Sequence, residues 1–154
     1  MKKLLNNKKG FTLIELLAVI VILAILVMVA IPAVTKYLNS ARQGTFVDNA
    51  KSAISTIRNT VVLEGANKTT FNVNEINGKL EKKLITSPFG GCYCNESTIT
   101  YDPTTNKYSI ALYDEYGYGW KTAKEENELN SDDVQISGVS QPKPCTLVTG
   151  CPHD

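Results

Sequence analysis

From Leu16 to Ile31 the chain carries no polar side chain, and Phe11-Thr12-Leu13-Ile14-Glu15 in front brings the stretch to the roughly 20 residues that a bilayer-spanning helix needs. A single acid, Glu15, stands near its front. A carboxylate in the apolar part of a membrane helix costs about 2.5–3.5 kcal/mol on insertion scales, so this one calls for a partner.

The residues before the stretch orient it. Lys2, Lys3, Lys8 and Lys9 form a basic leader without an acid, and basic flanks stay cytoplasmic, which predicts an N-terminus inside and the bulk of the chain outside. A secretory signal has a shorter apolar core, about 7–15 residues, and a small-residue cleavage site on its far side. Here the far side is Ala30-Ile31-Pro32-Ala33-Val34-Thr35-Lys36-Tyr37, where the helical pattern continues. Cleavage after the apolar run is disfavoured.

The segment Lys8-Lys9-Gly10-Phe11-Thr12-Leu13-Ile14-Glu15-Leu16-Leu17 resembles the class III signal of type IV pilins and pseudopilins. The resemblance covers residues 8 to about 32, and Pro32 matches the proline common in that family's membrane helix. It implies that a prepilin peptidase cuts between Gly10 and Phe11 on the cytoplasmic side and methylates the new amino terminus. Glu15 then becomes the fifth residue of the mature chain. The terminal amine of Phe11 stays cationic and, in a packed filament, pairs with Glu15 of a neighbouring subunit. Such a buried pair also sets register, because removing one partner leaves the other charge uncompensated. The competing expectation is an uncut single-span anchor.

Beyond the membrane stretch the helix is expected to continue to about Leu63. Val47, Ala50, Ile54, Ile57 and Val61 recur at helical spacing, while Lys36, Asn39, Arg42, Gln43, Asp48, Lys51, Ser55, Arg58 and Asn59 fall largely off that stripe. Glu64-Gly65 is a plausible stop. A helix from Phe11 to Leu63 would measure about 80 Å at 1.5 Å per residue. Pro32 and Gly44 weaken it. Either Pro32 makes a simple kink, or, as the resemblance implies, the segment around it bends or melts when subunits pack.

The remainder, 65–154, is near the size at which a core alone is marginal. Cys92, Cys94, Cys145 and Cys151 all follow the membrane stretch, where an oxidising environment permits disulfides. Four cysteines allow three connectivities. Cysteines two apart bridge poorly, which favours pairing each of Cys92 and Cys94 with one C-terminal cysteine. Zinc held by these cysteines and His153 is the competing expectation, but neither pair has the usual C-x₂₋₄-C spacing. No metal or other cofactor is expected.

Thr98-Ile99-Thr100-Tyr101 and Lys107-Tyr108-Ser109-Ile110-Ala111-Leu112-Tyr113 alternate as half-buried strands do, and Asp102-Pro103-Thr104-Thr105-Asn106 between them makes a hairpin turn. A further strand is expected near Val134-Gln135-Ile136-Ser137, and a short helix near Asn74. The predicted class is α+β, a long N-terminal helix packed on a small antiparallel sheet. The pilin resemblance implies the same fold.

Other clusters have ordinary explanations. Tyr113, Tyr116, Tyr118 and Trp120 could form an adhesive surface but suit strand packing better. Glu125, Glu126, Glu128, Asp132 and Asp133 could hold calcium, yet Asn130-Ser131-Asp132-Asp133 is no EF-hand loop, and a solvated face is expected. Asn67-Lys68-Thr69 and Asn95-Glu96-Ser97 fit the N-glycosylation pattern.

No catalytic motif is present and the one histidine is His153, so an enzyme is not expected. The formal charge is +1, which loss of the four leader lysines would bring to −3, so no nucleic-acid partner is predicted. The resemblance implies a pilin that polymerises with its own kind into a surface filament. Its other partners would be prepilin peptidase, the inner-membrane assembly platform and, before assembly, the membrane. The alternatives are a minor pilin or pseudopilin of a secretion or DNA-uptake machine, and an anchored binding module that never polymerises and keeps its leader.

Overall fold

The structure, a computed structural model, describes residues 10–135 and 145–152. Its first element, α1 (Leu13–Glu64), runs through Pro32 without a break in helical assignment. Proline removes one backbone donor from the ladder there. Next to it the Thr35 hydroxyl donates to the Ile31 carbonyl at 2.9 Å. Gly65, with φ of 83°, ends the helix in the left-handed conformation that glycine adopts freely.

Two units divide the chain, Met1–Leu38 and Asn39–Asp154. In the first, every described residue from Gly10 to Leu38 is exposed. Among the described residues this is the one helix long and apolar enough to cross a membrane.

In the second unit, Gln43, Phe46, Val47, Ala50, Ala53, Ile54, Ile57 and Val61 of α1 are buried, a stripe at three- and four-residue spacing. The elements that follow are β1 (Thr70–Asn72), α2 (Val73–Asn77), β2 (Thr98–Asp102), β3 (Lys107–Tyr113) and β4 (Gly119–Glu125). The four strands make one antiparallel sheet in sequential order. Strands alternate their side chains, so Ile99 and Tyr101 of β2 and Tyr108, Ile110 and Leu112 of β3 share the core with the α1 stripe. Phe46 centres it, its ring 5.3 Å from Trp120, 5.7 Å from Tyr93 and 6.1 Å from Phe89. The fold is α+β, as the sequence predicts.

The hairpin turn between β2 and β3 is built by Asp102. Its Oδ1 accepts the Thr104 N–H at 2.8 Å and its Oδ2 the Thr105 hydroxyl at 2.7 Å, while Asn106 takes the left-handed conformation at φ 54°. These donors favour the charged carboxylate and hold its pKa below the ordinary value, the Thr105 hydroxyl first.

One expectation changes, one is met, and one falls partly outside the described residues. Gln43, assigned to the polar side of α1, is buried, and its amide donates to the Val134 carbonyl at 3.2 Å. The short helix begins at Val73 and follows a strand: Asn72 Oδ1 accepts the Glu75 N–H and Glu75 Oε2 accepts the Asn72 N–H, both at 3.0 Å. Near Val134 there is no strand among the described residues; Gln135 makes one bridge to Gly119, and Ile136 and Ser137 lie outside the described residues.

Candidate assembly site

Thr12 begins the site because its side chain and backbone both answer Glu15. The Thr12 N–H and hydroxyl each donate to Glu15 Oε2 at 2.8 Å, and the Glu15 N–H donates to the Thr12 hydroxyl at 3.3 Å. This is a capping box, in which residues three apart satisfy donors that a helix start leaves free. Glu15 also lies in the first turn, where the helix dipole favours a negative charge. The Thr-x-x-Glu spacing was there in the sequence to identify Thr12.

Glu15 is exposed, and both bonds from Thr12 fall on Oε2. A carboxylate oxygen has two lone pairs, so Oε1 has room for a donor from outside the chain. Gly10 and Phe11 are exposed immediately before α1, Phe11 at 93%, and Pro32 is exposed within it. In the uncut chain Phe11 N is a peptide nitrogen and offers no cation. The leader lysines, Lys2, Lys3, Lys8 and Lys9, lie outside the described residues.

The four cysteines come together in the second unit. Cys92 is bonded to Cys151 and Cys94 to Cys145, with Cα atoms 6.0 and 5.0 Å apart. The pairing follows from strand direction: Cys94 bridges Leu147 antiparallel, so the earlier cysteine meets the later one. With both bonds formed no thiolate among the four is left for zinc, and His153 lies outside the described residues. Val148, held by its N–H to the Tyr93 carbonyl at 3.2 Å, is fully buried.

The acidic run is dispersed rather than gathered. Glu125 pairs with Lys107 at 2.8 Å, Asp133 with Lys124 at 3.0 Å, and Glu126 with Arg58. Of the aromatic group, Trp120 and Tyr113 are buried, Tyr118 stacks on Phe89 at 4.7 Å, and Tyr116 is exposed. Asn67 and Thr69 are exposed, whereas Ser97 is fully buried with its hydroxyl on the Tyr113 carbonyl.

One buried acid had no signal in the sequence. Asp114 is fully buried; its Oδ1 accepts the N–H groups of Tyr116 and Tyr118 at 3.1 and 2.9 Å, while Oδ2 has no hydrogen-bond partner. Burial raises its pKa, against the Ser87 hydroxyl and these two N–H groups, which favour the charge.

The family model for the prokaryotic N-terminal methylation motif matches residues 5–31. A fimbrial protein of Moraxella nonliquefaciens is 38% identical over 86 residues, which make up 53% of this chain and 56% of that protein. The chain thus spans little more than half the length of the curated relative it matches. No solved structure matches it. The chain thus matches the prokaryotic N-terminal methylation motif over residues 5–31, is similar to a fimbrial protein and has an α+β fold with a long N-terminal helix.

Proposed function

We propose that this chain is a structural subunit, a pilin, of an extracellular type IV pilus. It is made as a precursor with a cytoplasmic N-terminus, cut by prepilin peptidase between Gly10 and Phe11, methylated on Phe11 and held in the membrane by the helix that follows. Polymerisation, on the assembly platform, joins the Phe11 amine of one copy to Glu15 of another, with Pro32 allowing the helix to adjust. The two disulfide bonds staple the displayed unit. Its role is structural rather than catalytic.

The observation that carries this proposal is the exposed apolar surface of 16–31 with one carboxylate at its front, in a segment that matches the N-terminal methylation motif. A membrane covers such a surface in a single subunit, and other copies cover it in a filament. N-terminal sequencing of protein sheared from cells tests cleavage, methylation and assembly together. Methylated phenylalanine followed by Thr-Leu-Ile-Glu is expected; an intact leader overturns the proposal.

The alternative role, a minor pilin or pseudopilin of a secretion or DNA-uptake machine, keeps the same Glu15 contact. The fimbrial relative favours the pilus. Abundance in the sheared fraction separates the two.

A further inference from the structure

In the unit that begins at Asn39, Arg58, Lys68, Lys79, Lys107 and Lys124 each hold a carboxylate. Among the described residues Lys82 and Lys83 hold none. Instead they line a surface cleft of about 220 Å³ together with Thr45, Asn49, Thr86 and Ser87, and no carboxylate lines it. Two lysines adjacent in the chain at a cleft that no carboxylate lines give it a local excess of positive charge, which an entering anion would offset.

The cleft is built on pinned backbone. Directly after the lysines, Leu84 is buried, and the Asn77 side chain clamps its peptide on both sides: Oδ1 accepts the Leu84 N–H at 2.6 Å and Nδ2 donates to the Leu84 carbonyl at 3.0 Å. Downstream, the Ile85 carbonyl accepts the Tyr93 N–H at 3.0 Å and Thr86 bridges Cys92. On the α1 side Asn49 donates to the Tyr93 hydroxyl at 3.1 Å. Both walls are therefore fixed before a ligand arrives, which lowers the ordering cost of binding.

We propose that this cleft binds a compact phosphate-class oxyanion, with Lys82 and Lys83 supplying charge and the Thr86 hydroxyl a short donor. Ammonium groups and hydroxyls suit tetrahedral oxyanions, which present several acceptors in a small volume. Neither the ligand nor its site depends on polymerisation. The anion arrives either free or as a phosphate ester on a larger molecule.

The test uses the full-length chain in neutral detergent, titrated with inorganic phosphate and separately with dimethyl phosphate, at fixed ionic strength with chloride as the control. Amide and lysine resonances of residues 82–88 are followed by NMR. Saturable shifts confined to this cleft are expected with at least one probe, and K82Q/K83Q should weaken binding by about tenfold or more while the melting temperature stays unchanged. Phosphate alone binding identifies a free anion or terminal ester, and dimethyl phosphate binding a diester. Shifts that never saturate with either probe, that chloride reproduces, or that persist in K82Q/K83Q overturn the proposal.

Discussion

Phe46 and Gly119 leave no room between them: a Cβ built on Gly119 would lie 2.6 Å from Phe46 Cζ and 2.3 Å from the Leu112 carbonyl oxygen. The glycine also sits at φ 120°, where side-chain-bearing residues are strained. Gly119→Ala is expected to destabilise the second unit by about 3 kcal/mol or more, since overpacking and backbone strain act together. Urea unfolding followed by the fluorescence of Trp120, the single tryptophan, measures it. Phe46→Ala removes the other side of the contact and should cost about 3–5 kcal/mol.

Glu15→Ala separates assembly from folding. The side chain is exposed at the front of α1 and is hydrogen-bonded to Thr12, far in sequence from the buried stripe that begins at Gln43, so the melting temperature of the second unit should not change. Processing at Gly10 should also proceed. Sheared filament yield, measured by immunoblot, is expected to fall by about tenfold or more, because the partner amine would be left buried and unpaired. Wild-type yield would remove Glu15 from the proposed contact.

Asp114 makes stability depend on pH in a direction opposite to most acids. Burial raises its pKa, so the folded chain holds the proton more tightly than the unfolded chain does. Its contribution is fully present below the ordinary value of 3.8 and is lost as pH rises through the raised folded value. Asp114→Asn should remove that fall, seen as a flatter melting temperature against pH over this window. Asp114→Ala instead leaves the N–H groups of Tyr116 and Tyr118 without their acceptor and should cost about 2 kcal/mol at low pH, a cost that shrinks as pH rises through the raised folded value.

The two disulfides should be reduced in order. Cys92 and Cys94 are fully buried and Cys151 is 4% exposed, whereas Cys145 is only partly buried. A thiolate needs access to a sulfur, so Cys94–Cys145 is expected to open first under graded reductant, as read by alkylation and mass spectrometry. Replacing both cysteines of either bridge by serine should cost about 2–5 kcal/mol, given the loops of 59 and 51 residues that the bonds span.

What could be foreseen from the residues was whatever repeats locally. The hairpin of β2 and β3 was legible because both strands alternate and the turn between them is dense in Asp, Pro, Thr and Asn. The second half of α1 was legible from its stripe, but Gln43 was not, because its partner Val134 is 91 residues away and a polar side chain carries no mark of a distant carbonyl. Strand β4 escaped since it gives no period of two: Gly119 and Trp120 are buried, and Lys121, Thr122 and Ala123 are all exposed. At the front of the chain, the run from Gly10 to Glu15 carried the resemblance that the match to the N-terminal methylation motif bears out. The capping role of Thr12 follows from the same Thr-x-x-Glu spacing, a pattern that many helix starts share without any further task.

The nested order of the two disulfides has a consequence for wear. The inner bond, Cys94 to Cys145, closes a covalent ring that contains β2, β3 and β4. A single cut anywhere between residues 95 and 144 therefore opens the ring without releasing a fragment, and both new ends stay tethered to the same subunit. Surface loops meet proteases first. The unit can in this way be nicked and still present its three strands as one piece, which suits the proposed display on a filament.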